Sequence, residues 1–147
     1  MRLQFNAIAQ SDLGLVRDGN EDSALISANL IAVADGMGGH AGGEVASAIA
    51  INTLQQLLPV INDPAIDLDS RADLFLNISY EVDAEILRVS KEKPELSGMG
   101  TTLTALSLSE NQVDLLHIGG SRRWSSRSSL RYGNDQHRIS ARRFTDN

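Results

Sequence analysis

Apolar and polar positions along the chain predict short strands towards both ends and helices between them. Residues 5–9 alternate weakly and predict an opening strand, and the apolar runs 23–26 and 31–34 flank a polar turn and predict a hairpin. A second hairpin is predicted from strands at residues 101–108 and 112–118. The resulting order, β-β-β-α-α-β-β, is typical of an antiparallel sheet with paired helices packed on it.

Two helices are predicted in the middle of the chain. The first covers residues 44–58, where apolar residues recur every three or four positions, and Pro59 is its predicted stop. The second follows a capping box at residues 70–73, in which the Ser70 hydroxyl satisfies a free backbone N–H of the first turn. Its apolar stripe consists of Leu74, Ile78, Val82, Ile86 and Val89.

Composition describes an ordinary globular chain and excludes several classes of protein. The 147 residues suit one domain, and 41% of them are hydrophobic and 22% charged. The chain has no cysteine, which excludes disulfides, thiolate metal ligands and cysteine nucleophiles. A net charge of −6 argues against nucleic-acid binding, and no uninterrupted apolar run has the length of a membrane segment. Because no secretory signal precedes the first strand, a cytoplasmic location is expected.

The net charge changes sign at residue 120. Residues 1–119 contain 6 Lys and Arg against 17 Asp and Glu, a net charge of −11, whereas residues 120–147 have a net charge of +5. The second segment is rich in arginine and serine, and its apolar residues follow no sustained period. Such a segment buries little surface, which predicts a disordered or non-native tail. A basic tail of this kind is also compatible with binding phosphates or an anionic membrane surface.

The first candidate for chemistry is an aspartate followed by a glycine-rich stretch. Asp35 ends an apolar strand and precedes residues 36–43, which include five glycines. A carboxylate in such a place suits a hard cation such as Mg²⁺ or Mn²⁺, and Gly36 lets its own carbonyl face the same ion. The alternative is that Asp35 caps the next helix.

The second candidate is a cluster of charged residues just before the first predicted hairpin. Arg17 could pair with a phosphate while Glu21 and Asp22 hold metal-bound water. The alternative is a solvated ion cluster at the surface. Residues 98–102 by themselves predict the start of a strand, with glycines for the turn before it. Residues 117–122 by themselves predict a strand in which His117 is a packed core histidine.

A competing interpretation is a dinucleotide-binding loop. Gly36, Gly38 and Ala41 match a GxGxxA pattern between a predicted strand and a predicted helix. That pattern expects an acidic residue about 20 positions further on, at the end of a second strand. Here residues 55–58 lie within the predicted helix, so the pattern is incomplete.

In combination and in order, these four stretches resemble the bacterial branch of the metal-dependent Ser/Thr protein phosphatases of type 2C, the PPM family. The matching motifs are V-R-D-G-N-E-D at residues 16–22, V-A-D-G-M-G-G-H at 33–40, G-M-G-T-T at 98–102 and H-I-G-G-S-R at 117–122. The resemblance runs from about residue 5 to residue 122.

The resemblance implies an α+β fold, an α-β-β-α sandwich of two antiparallel sheets with helices outside, incomplete in this chain. It also implies two Mn²⁺ or Mg²⁺ ions at one end of the sandwich. Asp35 would bridge both ions, the Gly36 carbonyl would bind one, and Glu21 and Asp22 would orient metal-bound water.

The resemblance further implies hydrolysis of phosphoserine and phosphothreonine on proteins that a bacterial Ser/Thr kinase has phosphorylated. A water between the metals would attack phosphorus directly. Arg17 would hold the substrate phosphate, and His40 would protonate the leaving oxygen.

The chain departs from the family pattern at its C-terminal end. Gly120 stands where the family has an aspartate that helps to bind a third metal, so a third site is doubtful. The later family motifs that complete the two-metal site have no counterpart after Arg122, as a shifted reading frame or a premature end near residues 120–123 would produce. Residues 1–119 are therefore predicted to be the N-terminal part of a phosphatase domain that is weakly active or inactive. The alternative function is a non-catalytic module that binds phosphoproteins through Arg17.

Overall fold

The computed structural model describes residues 4–13, 15, 19–39, 41–109, 112–119 and 124–131. The strands are β1 (Asp22–Ile26), β2 (Leu30–Met37), β3 (Gly100–Thr101), β4 (Leu103–Ser109), β5 (Gln112–Gly119) and β6 (Trp124–Arg131). The helices are α1 (Gly42–Ile61) and α2 (Leu68–Glu92), and a short 3₁₀ turn covers Pro94–Leu96.

The first predicted hairpin is confirmed. β1 and β2 pair antiparallel from Asp22 opposite Asp35 to Ile26 opposite Ile31. The Ser27 hydroxyl closes the turn by donating to Leu30 O at 3.0 Å and accepting from Leu30 N–H at 2.9 Å. The opening strand predicted at residues 5–9 is wrong. This segment joins no ladder, although Phe5 N–H donates to Ala28 O at 2.8 Å.

The described strands form one antiparallel sheet in the order β1-β2-β4-β5-β6, with β3 paired to β2 beside β4. The second predicted hairpin is confirmed as β4 and β5, which pair from Leu103 opposite Ile118 to Ser109 opposite Gln112. Because every described strand pair is antiparallel, α1 belongs to no βαβ unit in this part of the chain. The dinucleotide-binding interpretation is therefore wrong.

Part of the arginine- and serine-rich segment differs from its predicted disorder. Trp124–Arg131 form β6, an eight-residue strand that pairs with β5 along its whole length. The edge of β5 presents unpaired backbone groups, and these accept a strand whatever its apolar period. The remaining residues of 120–147 lie outside the described part of the chain.

Both helices begin two residues earlier than predicted, and α1 also ends three residues later. α1 continues through Pro59 to Ile61, and Asn62 N–H still donates to Leu58 O at 2.9 Å. Pro59 has no N–H to donate to the carbonyl four residues earlier, so α1 continues past it with one backbone hydrogen bond fewer. α2 begins at Leu68, and the Asp67 carboxylate accepts both the N–H and the hydroxyl of Ser70 at 2.9 Å. The prediction that Ser70 caps this helix is wrong, because Asp67 takes that role.

Both helices cover one face of the sheet, so the described part of the chain has two layers. The main core lies between these layers, and the residues whose burial the structure describes contribute fourteen side chains to it: Leu30, Ala32, Ala34, Ala50, Ile51, Leu54, Ile61, Phe75, Ile78, Val82, Leu103, Ala105, Leu116 and Ile118. By length and composition alone α1 could span a membrane, but its buried residues contribute to this core, which explains their apolar character. The opposite face of the sheet is open, with Val33 59% and Ile26 43% exposed. This arrangement is an α+β fold in which two helices pack on one face of an antiparallel sheet.

Candidate functional site

Two predicted site residues, Asp22 and Asp35, lie directly opposite each other at one end of the open face. They are register partners in the β1–β2 ladder, and cross-strand partners project from the same face of a sheet. Both are exposed, and both line a cavity of about 670 Å³. Apolar side chains, among them Val33 and Leu106, line much of the rest of this cavity, together with polar side chains such as Thr102 and Thr104. The site therefore places two carboxylates at one end of a surface that carries both apolar and hydroxyl side chains.

Short hydrogen bonds hold the start of β1 against the N-terminal segment. Asp22 N–H donates to Asn20 Oδ1 at 3.0 Å, and Asn20 Nδ2 donates to Ser11 Oγ at 2.7 Å. Ser11 Oγ in turn donates to Asp22 Oδ2 at 3.3 Å. This ring of hydrogen bonds connects Ser11 in the N-terminal segment to Asp22, the first residue of β1.

The predicted residue Glu21 lies apart from the two aspartates. Its carboxylate faces the N-terminus of α1, where a Cβ at Gly43 would stand 2.6 Å from the carboxyl carbon. Adjacent residues of an extended chain point to opposite sides, which separates Glu21 from Asp22. A carboxylate there is stabilised by the helix dipole. In this structure Glu21 therefore supports α1 instead of sharing the open face.

Gly36 lies where strand and helix backbones meet. Its N–H donates to Glu21 O at 3.0 Å, and a Cβ would stand 2.7 Å from the same oxygen. That Cβ would also penetrate the Gly43 carbonyl group at the start of α1. A glycine is required here by the close approach of two main chains, and this contact packs the last residues of β2 against the start of α1.

Two residues that the sequence treated as a strand entry, Thr101 and Thr102, surround the Asp35 peptide. Thr102 N–H donates to Asp35 O at 2.9 Å, and Asp35 N–H donates to Thr102 Oγ1 at 3.2 Å. The Thr101 hydroxyl lies 3.0 Å from Asp35 O. The signal that could have found them is the G-M-G-T-T motif, whose threonines had no assigned role.

Two other predicted site residues, Arg17 and His40, lie outside the described part of the chain, and their roles stay predictions. His117 is half-buried, and its Nδ1 lies 2.9 Å from Thr104 Oγ1 on the neighbouring strand. This contact agrees with the interpretation of His117 as a packed histidine.

The donor set suits a hard cation but is small. Mg²⁺ and Mn²⁺ prefer oxygen ligands, and Mg²⁺ is commonly held by one or two carboxylates with water completing its shell. Asp22 and Asp35 provide two such carboxylates side by side. Among the residues that the structure describes, no three His, Asp or Glu side chains come together. The residues present therefore fit one weakly held cation better than a complete two-metal centre.

Comparison with known proteins identifies relatives along most of the chain. Residues 18–129 match the family model described as protein phosphatase 2C, so the similarity extends past the limit near residue 122 suggested by the motifs. The serine/threonine protein phosphatase PstP of Mycobacterium tuberculosis is 46% identical over 114 residues, which are 78% of this chain and 21% of that protein. The serine/threonine phosphatase stp of Listeria monocytogenes is 34% identical over 124 residues, covering 80% of this chain and 48% of that protein.

Solved structures give the same result for the fold. The PstP catalytic domain in complex with two manganese ions superposes with a TM-score of 0.65 at 45% identity, covering 77% of this chain and 47% of that one. Stp1 from Staphylococcus aureus gives a TM-score of 0.68 at 28% identity, covering 89% of this chain and 56% of that one. The chain thus spans about half of these solved domains.

Proposed function

The chain belongs to the protein phosphatase 2C family, and on that premise we propose that it represents the N-terminal half of a metal-dependent Ser/Thr protein phosphatase domain. The proposed substrates are phosphoserine and phosphothreonine in proteins, and the opposing enzyme is a bacterial Ser/Thr kinase. The observation that carries the proposal is the placement of Asp35 opposite Asp22 and beside Gly36, within β2, which continues to Met37 instead of ending at Asp35 as predicted.

Asp22 and Asp35 are the residues proposed to hold Mn²⁺ or Mg²⁺, together with the Gly36 carbonyl. The ion would neutralise charge on a phosphate ester and make a water molecule more acidic. The protein's own contribution is to keep two carboxylates directly opposite each other on neighbouring strands. The hydrogen bonds of Thr101 and Thr102 and the close contact at Gly36 hold the Asp35 backbone in place. Arg17 is proposed to hold the phosphate and His40 to donate a proton to the leaving oxygen. Glu21 is proposed to contribute indirectly, by supporting the start of α1.

Metal binding is the most direct test of this site. Replacing Asp35 with asparagine should raise the Kd for Mn²⁺ about tenfold or more, because the substitution removes a charged ligand from a pair of carboxylates. Calorimetric titration of the folded chain measures this change. Asp73→Asn is the matched control, since Asp73 is an exposed residue of α2, which follows the far end of the roughly 30 Å long α1. Equal Kd values for the two variants would contradict the assignment of Asp35.

The catalytic activity of this chain is expected to be absent or very low. Within the described part of the chain, two side-by-side carboxylates and one carbonyl are too few protein ligands to hold two hard cations firmly. With millimolar Mn²⁺ and a phosphothreonine peptide, phosphate release should barely exceed that of a protein-free control. Robust turnover that disappears in an Asp35→Ala variant would overturn this expectation.

The small donor set also favours a second candidate, a non-catalytic module that binds phosphoproteins. A phosphopeptide would then bind without metal, and Arg17→Ala would abolish the binding, whereas Arg88→Ala on the exposed face of α2 would leave it unchanged. Fluorescence anisotropy of a labelled phosphopeptide, with its unphosphorylated counterpart as reference, distinguishes this function from hydrolysis.

A further inference from the structure

The pairing of β2 with its neighbours has an exception at Asp35. Gly36 pairs with Thr101 on β3 and Val33 pairs with Thr104 on β4, so the common register places Thr102 opposite Asp35. The main chain supplies one bond of this pair, from Thr102 N–H to Asp35 O at 2.9 Å. The other acceptor is a side chain, because Asp35 N–H donates to Thr102 Oγ1 at 3.2 Å. A hydroxyl therefore takes part in the ladder at the candidate metal ligand.

A second hydroxyl acts on the same peptide segment. Thr101 is 8% exposed, and its Oγ1 lies 3.0 Å from Asp35 O and 2.8 Å from Thr102 O. The donor and the acceptor of Asp35 are thus both engaged by threonine side chains. Thr102 also lines the cavity into which Asp22 and Asp35 face.

We propose that Thr102 is a positioning residue for Asp35, with Thr101 in support, and that the affinity of the site for a divalent cation depends on the Thr102 hydroxyl. Residues that orient a metal ligand through hydrogen bonds commonly change metal affinity 10- to 100-fold when they are replaced. The role of the hydroxyl in cation binding rests on the proposed function, whereas its bond to the Asp35 amide does not.

Three variants separate the hydroxyl from the rest of the side chain. Thr102→Val keeps the β-branched shape and removes the hydroxyl, and Thr102→Ser keeps the hydroxyl and removes the methyl group. Thr104→Val is the matched control, because Thr104 lies two residues further along and its hydroxyl contacts His117 instead of Asp35.

Amide hydrogen exchange tests the bond without any metal. In the metal-free protein, the Asp35 amide should exchange about tenfold faster in Thr102→Val and close to the unmodified rate in Thr102→Ser and Thr104→Val. An unchanged Asp35 exchange rate in Thr102→Val would overturn the positioning role.

Calorimetric titration with Mn²⁺ tests the consequence for the site. Thr102→Val should raise the Kd for Mn²⁺ about tenfold, with recovery in Thr102→Ser and no change in Thr104→Val. Equal weakening by Thr102→Val and Thr104→Val would overturn the proposal in favour of general strand packing. If the unmodified chain binds no Mn²⁺, the proposed metal site fails, and the exchange data alone decide whether Thr102 positions Asp35.

Discussion

Replacing Arg71 with methionine should lower the free energy of unfolding by about 3 to 5 kcal/mol, the usual cost of removing one partner of a buried ion pair. The Arg71 and Asp114 side chains are 5% and 7% exposed, and Arg71 Nε lies 3.5 Å from Asp114 Oδ2. Methionine fills much of the same volume, so the loss measures charge and hydrogen bonding more than packing. Urea unfolding followed by circular dichroism gives the free energy of each variant.

The large effect follows from the number of elements that Arg71 joins. From α2, its guanidinium donates to Ile61 O at the end of α1 at 2.7 Å and to Ser107 Oγ on β4 at 3.0 Å. The ion pair with Asp114 adds β5. Removing the guanidinium leaves a helix-terminal carbonyl without this donor in a buried place, and a buried unsatisfied polar group is costly.

Arg88 provides the matched control on the same helix. Its guanidinium bonds Glu85 and Glu92 at 2.6 Å, but the side chain is 54% exposed, so Arg88→Met should leave the urea midpoint nearly unchanged. Adding Asp114→Asn to Arg71→Met should recover part of the loss, because the carboxylate charge that faced Arg71 is then gone. Similar midpoints for Arg71→Met and Arg88→Met would show that burial does not strengthen the dependence on Arg71.

Replacing Gly36 with alanine should destabilise the chain by about 3 kcal/mol or more, at the upper end of overpacking effects. The added methyl group would meet main-chain atoms of Gly43 and would stand 2.7 Å from Glu21 O. Main-chain atoms at the start of a helix cannot move aside as a flexible side chain can. Either α1 shifts away from β2 or the β1–β2 hairpin distorts, and thermal unfolding should begin at a clearly lower temperature.

Two neighbouring glycines calibrate this prediction. Gly39→Ala should be nearly neutral, since its Cβ would meet nothing within 4 Å. Gly43→Ala should be intermediate, because its Cβ would press on the carboxylate end of Glu21, which can rotate away. If all three variants unfold alike, the close contact between β2 and α1 does not limit stability.

The secondary structure was predictable where local patterns and tertiary packing agree. The apolar runs on either side of Ser27 and the two strands predicted at residues 101–108 and 112–118 correspond to the observed hairpins. The apolar stripe of α2 supplies buried Ile78 and Val82. Helix limits were less predictable. Pro59 lies within α1, and Asp67 replaces Ser70 as the cap of α2, since several nearby side chains can satisfy the same helix end.

The candidate site was predictable as a set of residues but not as an arrangement. The motifs identified Asp22, Asp35 and Glu21 together, whereas the strand period turns Glu21 towards α1 and leaves the two aspartates on the open face. The threonines around Asp35 lie 66 and 67 positions away along the chain, and only the pairing of β2 with β3 and β4 brings them to it.

By itself the sequence determined the family, the α+β class and the candidate cation ligands, because these depend on residue types in a fixed order. The tertiary structure alone decided that Arg71 is buried among four elements, that Gly36 separates two backbones and that β6 extends the sheet. Each of these features depends on contacts between residues that are far apart in the sequence. Such contacts follow from how the strands pair and the helices pack, which the order of residue types does not show.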